Sequence, residues 1–190
     1  FATNNVHKLE EIRQIMPSNL QVLSLKDIGC DVDIPETGST LQENALIKAQ
    51  YVLEHYGMAC FADDTGLEVY ALNNEPGVYS ARYAGVHGDD TANNAKLVSE
   101  LAARGEENAA ASYRCALVLT LADGRELTAE GVCRGFIRPM PRGTGGFGYD
   151  PYFYLPRGKA MAELTLAEKH AVSHRGAALR EMKELLAGIL

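Results

Sequence analysis

The chain has 190 residues, 46% of them hydrophobic, and a formal net charge of −7. Such a length suits a single domain over 1–190, or two lobes sharing one core, and it can bury most of its surface without disulfide or metal staples. The acidic balance argues against a nucleic-acid polymer as partner, because a phosphate backbone needs a basic surface, but not against a nucleotide, which needs only local cations or a metal held by acidic groups.

No apolar run is long enough to span a bilayer, and the start has no signal-peptide pattern. The first residue is Phe1 rather than Met, so Phe1-Ala2-Thr3 is expected to be the tail of a strand whose beginning is absent. Cysteines stand at 30, 60, 115 and 133, with no C-x-x-C pair and no histidine at zinc-ligand spacing. Reduced core thiols in a cytoplasmic protein are the expectation.

In chain order, the apolar spacing of Leu9, Ile12, Ile15 and Met16 predicts a helix over 8–16, stopped by Pro17. A short strand is expected over 21–25. Thr40-Leu41-Gln42-Glu43 is a capping-box signature opening a long helix, with Leu41, Ala45, Ala49, Val52 and Tyr56 on one stripe and Gly57 at its end. Residues 58–62 read as a buried strand and 67–72 as another, with a long loop over 75–90 and a helix over 91–104. Alternation from Ala111 to Leu121, then Asp123-Gly124, then Leu127 to Cys133, reads as a hairpin. A three-residue loop 123–125 would set Cys115 opposite Cys133 as neighbouring, unbonded thiols. Residues 135–156 are too rich in Gly and Pro for more than short pieces of structure, and a last helix begins near Ser173. Interleaved helices and strands with an antiparallel hairpin predict an α/β fold, a mixed sheet with flanking helices.

Several segments carry chemistry. Thr3-Asn4-Asn5-Val6-His7-Lys8 joins a strand end to a helix start, where free amides and the helix dipole attract phosphate. Thr3 and Asn5 offer side-chain donors, Lys8 a full charge, and Asn4 tolerates a left-handed turn. On its own the segment reads first as an ordinary capped helix start. Asp63-Asp64 follows an apolar strand and precedes Thr65-Gly66, which places adjacent carboxylates where α/β sheets collect ligands. Glu36 offers a third carboxylate, and Mg²⁺ takes one or two, filling its octahedron with water and phosphate oxygens. Gly143 to Pro151 is a Gly-rich stretch in which Phe147 or Tyr149 can stack on a base, although such loops also serve as corners. Ser173 reads as a helix cap that puts His174 and Arg175 in the first turn, against the dipole, so an anionic or carbonyl-bearing partner is expected there. His55, His87 and His170 lack ligand spacing and read as surface residues.

Taken together, these segments resemble the inosine-triphosphatase family of non-standard purine nucleoside-triphosphate pyrophosphatases. The ordered match runs through Ala2 to Lys8, Glu36-Thr37-Gly38 with Glu43-Asn44-Ala45, Ala62 to Leu67, Pro76 to Tyr83, Gly143 to Pro151, and Ser173-His174-Arg175-Gly176. The resemblance implies an elongated α/β fold with two lobes around a central active-site cleft, a homodimer, and hydrolysis of ITP, dITP and XTP to monophosphate and diphosphate with Mg²⁺. It implies that Thr3, Asn4, Asn5 and Lys8 hold the triphosphate and that Glu36 and Asp64 serve the metal. Asp64 then activates water with Asp63 in support, and the proton acceptor is left as either of the two. Thr65 contacts substrate. Phe147, Gly148, Tyr149, Asp150, Lys169, His174 and Arg175 surround the nucleoside. The family often has Gly at Asn4 and Ser at Thr65, and both substitutions keep the required chemistry. The alternatives are a pyrophosphatase for pyrimidine or other modified nucleotides, and a nucleotide-binding regulatory module without chemistry, against which the three carboxylates argue.

Overall fold

Asn5 starts the first helix: its side-chain oxygen accepts the amides of His7 and Lys8, which the first turn leaves without helical partners. The computed structural model describes residues 1–189. Helix α1 (Val6–Ile15) thus begins ahead of the expected Lys8. Helix α2 (Leu41–Tyr56) has the anticipated Thr40–Glu43 capping box and ends on left-handed Gly57. Helices α3 (Asp90–Ala102) and α5 (His174–Ala187) lie near their expected positions. Helix α4 (Leu166–Val172), capped by Thr165 and Glu168, was not anticipated. Among the described residues no helix is long and apolar enough to cross a membrane.

Residues 1–3 and 21–25 are not regular strands. Single hydrogen bonds hold them, from Phe1 N to Leu23 O at 2.8 Å, Ala2 N to Phe61 O at 3.0 Å and Leu25 N to Thr3 O at 3.2 Å. Strand β1 (Cys60–Val69) runs through the break expected between residues 62 and 67. The strand pair expected over 58–62 and 67–72 is therefore one strand, and Asp63-Asp64 sits mid-strand rather than at a carboxyl end. Thr65 is β-branched and Gly66 is buried, and a pleated interior accommodates both.

The sheet continues with β2 (Glu75–Gly77), β3 (Ala109–Thr120), β4 (Glu126–Ile137) and β5 (Phe153–Tyr154), in the order β2-β1-β3-β4-β5. β2 lies antiparallel to β1 with Leu67 opposite Gly77, and β5 antiparallel to β4 with Phe136 opposite Tyr154. This is the α/β class expected.

The β3–β4 turn corrects the expected register. Leu121 N donates to Arg125 O at 2.8 Å and Gly124 N to Leu121 O at 2.9 Å, so the loop is 122–124 and Arg125 closes it. A type I turn with a following bulge needs its left-handed residue in the third loop place, and Gly124, at φ +86°, fills it. Asp123 stabilises the turn by accepting Arg125 N at 3.0 Å. Counting outward from Leu121 opposite Arg125, Cys115 faces Gly131 and Cys133 faces Tyr113. All four cysteines are buried thiols outside any disulfide, as expected.

The chain divides into two compact units. Unit 1 comprises residues 1–64, 116–130 and those from 178 onward, and its core joins Ala45, Ala49 and Val52 of α2 to Cys60 and Ala62 of β1 and Val118 of β3. Unit 2 comprises 65–115 and 131–177, and packs Leu67, Val69, Leu97, Leu101, Tyr113, Ile137, Phe153 and Met161 together.

Candidate active site

In unit 1, the even-numbered residues Cys60 and Ala62 of β1 pack on α2, and strand alternation carries Asp64 onto that same face and Asp63 onto the other. Asp63 is 1% exposed and meets the α1 side: Lys8 Nζ donates to its Oδ1 at 3.0 Å. Asp64 meets α2, where Lys48 Nζ lies 3.9 Å from its Oδ1. The same ammonium donates to Glu36 Oε1 at 2.8 Å and to the carbonyl oxygen of Asp63 at 2.7 Å. Three carboxylates and two lysines thus form one network inside unit 1, and the structure brings Glu36, Asp63, Asp64 and Lys8 together as the sequence suggested.

Electrostatics sharpen the picture. Burial, opposed by Lys48 and reinforced by Glu36, pushes the Asp64 carboxyl up to about 6. Burial also works against the Lys48 charge, yet Asp64, Glu36 and Asp63 outweigh it and hold its pKa above the usual lysine value.

Lys48 was missed in the sequence. It stands one turn after Asn44 on the buried stripe of α2, and both are buried. Asn44 Oδ1 accepts Gly38 N at 2.7 Å, fixing the loop that carries Glu36. A polar pair at i and i+4 interrupting an apolar stripe was the available signal.

The loop before α1 is organised by its own side chains. Thr3 Oγ1 accepts Asn5 N at 3.1 Å, Asn5 caps α1, and Asn4 Oδ1 accepts Lys26 N at 2.8 Å. Asn4 is not in the expected left-handed conformation, which among the described non-glycine residues only Asn73 and Asn74 adopt. Its side chain, rather than an unusual φ, fixes the loop. Thr65 is half-buried on β1, in unit 2.

Unit 2 gathers the other expected residues. Asp150, 3% exposed, accepts Lys169 Nζ on Oδ2 at 2.8 Å, Phe147 N on Oδ2 at 3.1 Å and the Tyr113 hydroxyl on Oδ1 at 3.1 Å. A Cβ on Gly146 would run into Asp150 Oδ2, and φ is +67° there, so a side chain at this position must displace the carboxylate or the loop. Lys169 Nζ lies 4.7 Å and Arg175 Cζ 5.9 Å from the centre of the Phe147 ring. Gly148 is clamped by α3: its amide donates to Asp90 Oδ2 at 2.8 Å, and its carbonyl accepts Asn94 Nδ2 at 2.9 Å.

Tyr149 is 5% exposed and donates its hydroxyl to Ser80 O at 2.6 Å, tying the Gly-rich loop to the Pro76–Tyr83 segment. Ser173 caps α5 as expected, its Oγ accepting Gly176 N at 3.0 Å. His174 and Arg175 follow it, both buried, and Arg175 is among the largest fully buried side chains. His170, expected on the surface, is half-buried.

Among the described residues no three His, Cys, Asp or Glu side chains form a metal-holding group. Mg²⁺ needs only one or two protein carboxylates. Glu36 and Asp64, both drawn to the one Lys48 ammonium and raising the energy of each other's charge, fit such an ion.

The chain is similar to known proteins over nearly its whole length. A model of the Ham1 family matches residues 1–185. A dITP/XTP pyrophosphatase from Christiangramia forsetii is 50% identical, over 98% of this chain and 97% of its own length. A HAM1 protein from Coxiella burnetii, of known structure, superposes with a TM-score of 0.88 at 38% identity, covering 98% of this chain and 96% of that one. The crystal structure of a nucleoside-triphosphatase / dITP/XTP pyrophosphatase from Mycobacterium abscessus matches with a TM-score of 0.75 at 44% identity, covering 95% of each chain.

Proposed function

The chain belongs to the Ham1 family, and from that premise we propose that it hydrolyses non-standard purine nucleoside triphosphates, dITP, ITP and XTP, to monophosphate and diphosphate. The observation that carries the reading is the unit 1 network, in which Glu36, Asp63 and Asp64 meet Lys8 and Lys48. Binding alone does not call for three carboxylates gathered round two lysines, whereas hydrolysis, which needs a positioned water as well as neutralised phosphates, does. The names of the relatives speak for purines, so the pyrimidine alternative is not favoured.

In this reading Asp64 accepts the proton of a water that attacks the α-phosphorus, and the bond to the β-phosphate oxygen breaks. Asp63, paired with Lys8, holds that ammonium in place rather than taking the proton. Lys8 and Lys48 set positive charge beside the phosphates as diphosphate leaves. Thr3, Asn4 and Asn5 shape the loop that receives them. Glu36 and Asp64 would hold Mg²⁺, which when bound supplies further positive charge to the phosphate oxygens.

Base selection belongs to unit 2. Lys169, His174 and Arg175 are donors suited to a 6-oxo group, and adenine's 6-amino group would leave donor facing donor. Phe147, with cations near its ring, offers a stacking surface. The family resemblance adds a homodimer, and the four buried thiols, none in a disulfide, suit a cytoplasmic setting.

Diphosphate release from ITP, dUTP and ATP, with and without Mg²⁺, tests the reading. ITP turnover that needs Mg²⁺ and exceeds that of the others is expected. Equal turnover of ATP, or full activity in excess chelator, would refute it.

A further inference from the structure

We propose that Tyr113 is the positioning residue of unit 2, holding His174 with its ring and Asp150 with its hydroxyl so that the base-facing donors keep their aim. The inference rests on the purine reading above and extends it to a residue that does not itself face a ligand.

Tyr113 sits on β3 and is buried, with its ring between two others. Phe153 stacks on it at 4.3 Å between centroids, and the His174 ring at 4.7 Å with an interplanar angle of 17°. An imidazole N–H points in the plane of its ring, so holding that plane confines the His174 donor to it. The hydroxyl donates to Asp150 Oδ1 at 3.1 Å, while Oδ2 of the same carboxylate holds Lys169 Nζ at 2.8 Å and Phe147 N at 3.1 Å. Two of the groups assigned to the nucleoside, Lys169 and Phe147, therefore hang from one carboxylate whose remaining oxygen is held by Tyr113. Burial and the Asp150 charge raise the Tyr113 pKa well above the usual phenol value, which keeps the hydroxyl a donor at all working pH. A tyrosine serving only as core filler needs a partner for its hydroxyl, but not one that also carries Lys169 and the Phe147 amide, and not an imidazole stacked on its ring.

The test compares Tyr113→Phe, which keeps the ring, with Tyr113→Leu, which removes it. The measurements are dissociation constants for IMP and AMP, kcat and KM with ITP, and Tm. Loss of one hydrogen bond to a charged group predicts that Tyr113→Phe weakens IMP binding and raises KM for ITP by about 3–10-fold, with a smaller change in kcat. Tyr113→Leu should lose more, and its preference for IMP over AMP should shrink toward unity. Variants that lower Tm while leaving the IMP:AMP ratio as in wild type would overturn the proposal in favour of plain packing. Should Tyr113→Leu not fold, an unchanged IMP affinity in Tyr113→Phe overturns it alone. Wild-type protein that binds IMP no better than AMP would refute the purine reading itself, and the base-facing assignment with it, before any variant is made.

Discussion

The Lys48 ammonium donates to Glu36 at 2.8 Å from the buried stripe of α2, a charged pair on a face shared with Asn44, Ala45, Ala49 and Val52. Breaking a buried pair from one side costs about 3–5 kcal/mol, because the remaining charge keeps its desolvation penalty. Lys48→Met should therefore lower the Tm of the metal-free protein by on the order of 10 °C. Mg²⁺ should then raise Tm further in the variant than in wild type, since it brings positive charge to the same carboxylates. Differential scanning fluorimetry with and without Mg²⁺ decides this, and a variant as stable as wild type without metal would contradict it.

Asp64 predicts an unusual pH dependence of stability. Its carboxyl titrates at about 6 in the folded protein against 3.8 ordinarily, so the folded state holds a proton between those values that the unfolded chain releases. The stabilising contribution is complete below the unfolded pKa and is lost as pH rises through 6. Asp64→Asn should thus stabilise the metal-free protein at pH 7, by about 3 kcal/mol, and much less at pH 4. Urea unfolding at the two pH values measures it, and an equal effect at both would show that Asp64 is not the group responsible.

The same residue should dominate activity. Asp64→Asn removes the proton acceptor at constant volume, and loss of a general base costs roughly 10²–10⁴-fold in rate. Lys8→Ala should weaken both binding and kcat, because its charge meets phosphates that become more negative in the transition state. Steady-state kinetics with ITP check both. Retention of more than about a tenth of the wild-type rate in Asp64→Asn would place the base elsewhere.

Much of this was legible because its signals are local. The Thr40–Glu43 box marked α2, the loop before α1 was marked by polar residues at a helix start, and Glu36 and the Asp63-Asp64 pair announced themselves by residue type, although the pair lies mid-strand. Thr65-Gly66 misled, since glycine usually breaks a strand, yet here it is buried within β1. The hairpin was placed correctly but slipped in register, because Gly124 serves the third loop position and not the second. Lys48 and Tyr113 were hidden for a shared reason: each occupies a place in an apolar pattern and takes its role from a partner distant in sequence, Asp64 for one, Asp150 and His174 for the other. Helix α4 had a legible Thr165–Glu168 box but is only 7 residues long, too short for periodicity to register.

Gly146 offers a test of the Asp150 hub. A methyl group there meets Asp150 Oδ2 at a φ of +67°, so Gly146→Ala must displace the carboxylate or the loop. The expected cost is about 1–3 kcal/mol in stability. KM for ITP should rise, because Lys169 and the Phe147 amide move with Asp150. Chemical denaturation together with KM measures both, and a variant unchanged in KM would detach the loop from recognition of the base.

The most direct test of the central claim is one competition experiment: equimolar ITP and ATP incubated with the protein and Mg²⁺ in ¹⁸O-labelled water, with products read by mass spectrometry. Attack by water on the α-phosphorus of a selected purine predicts ¹⁸O in IMP, unlabelled diphosphate, and ATP left largely intact. Label in diphosphate, release of orthophosphate, or AMP formed as fast as IMP would contradict it.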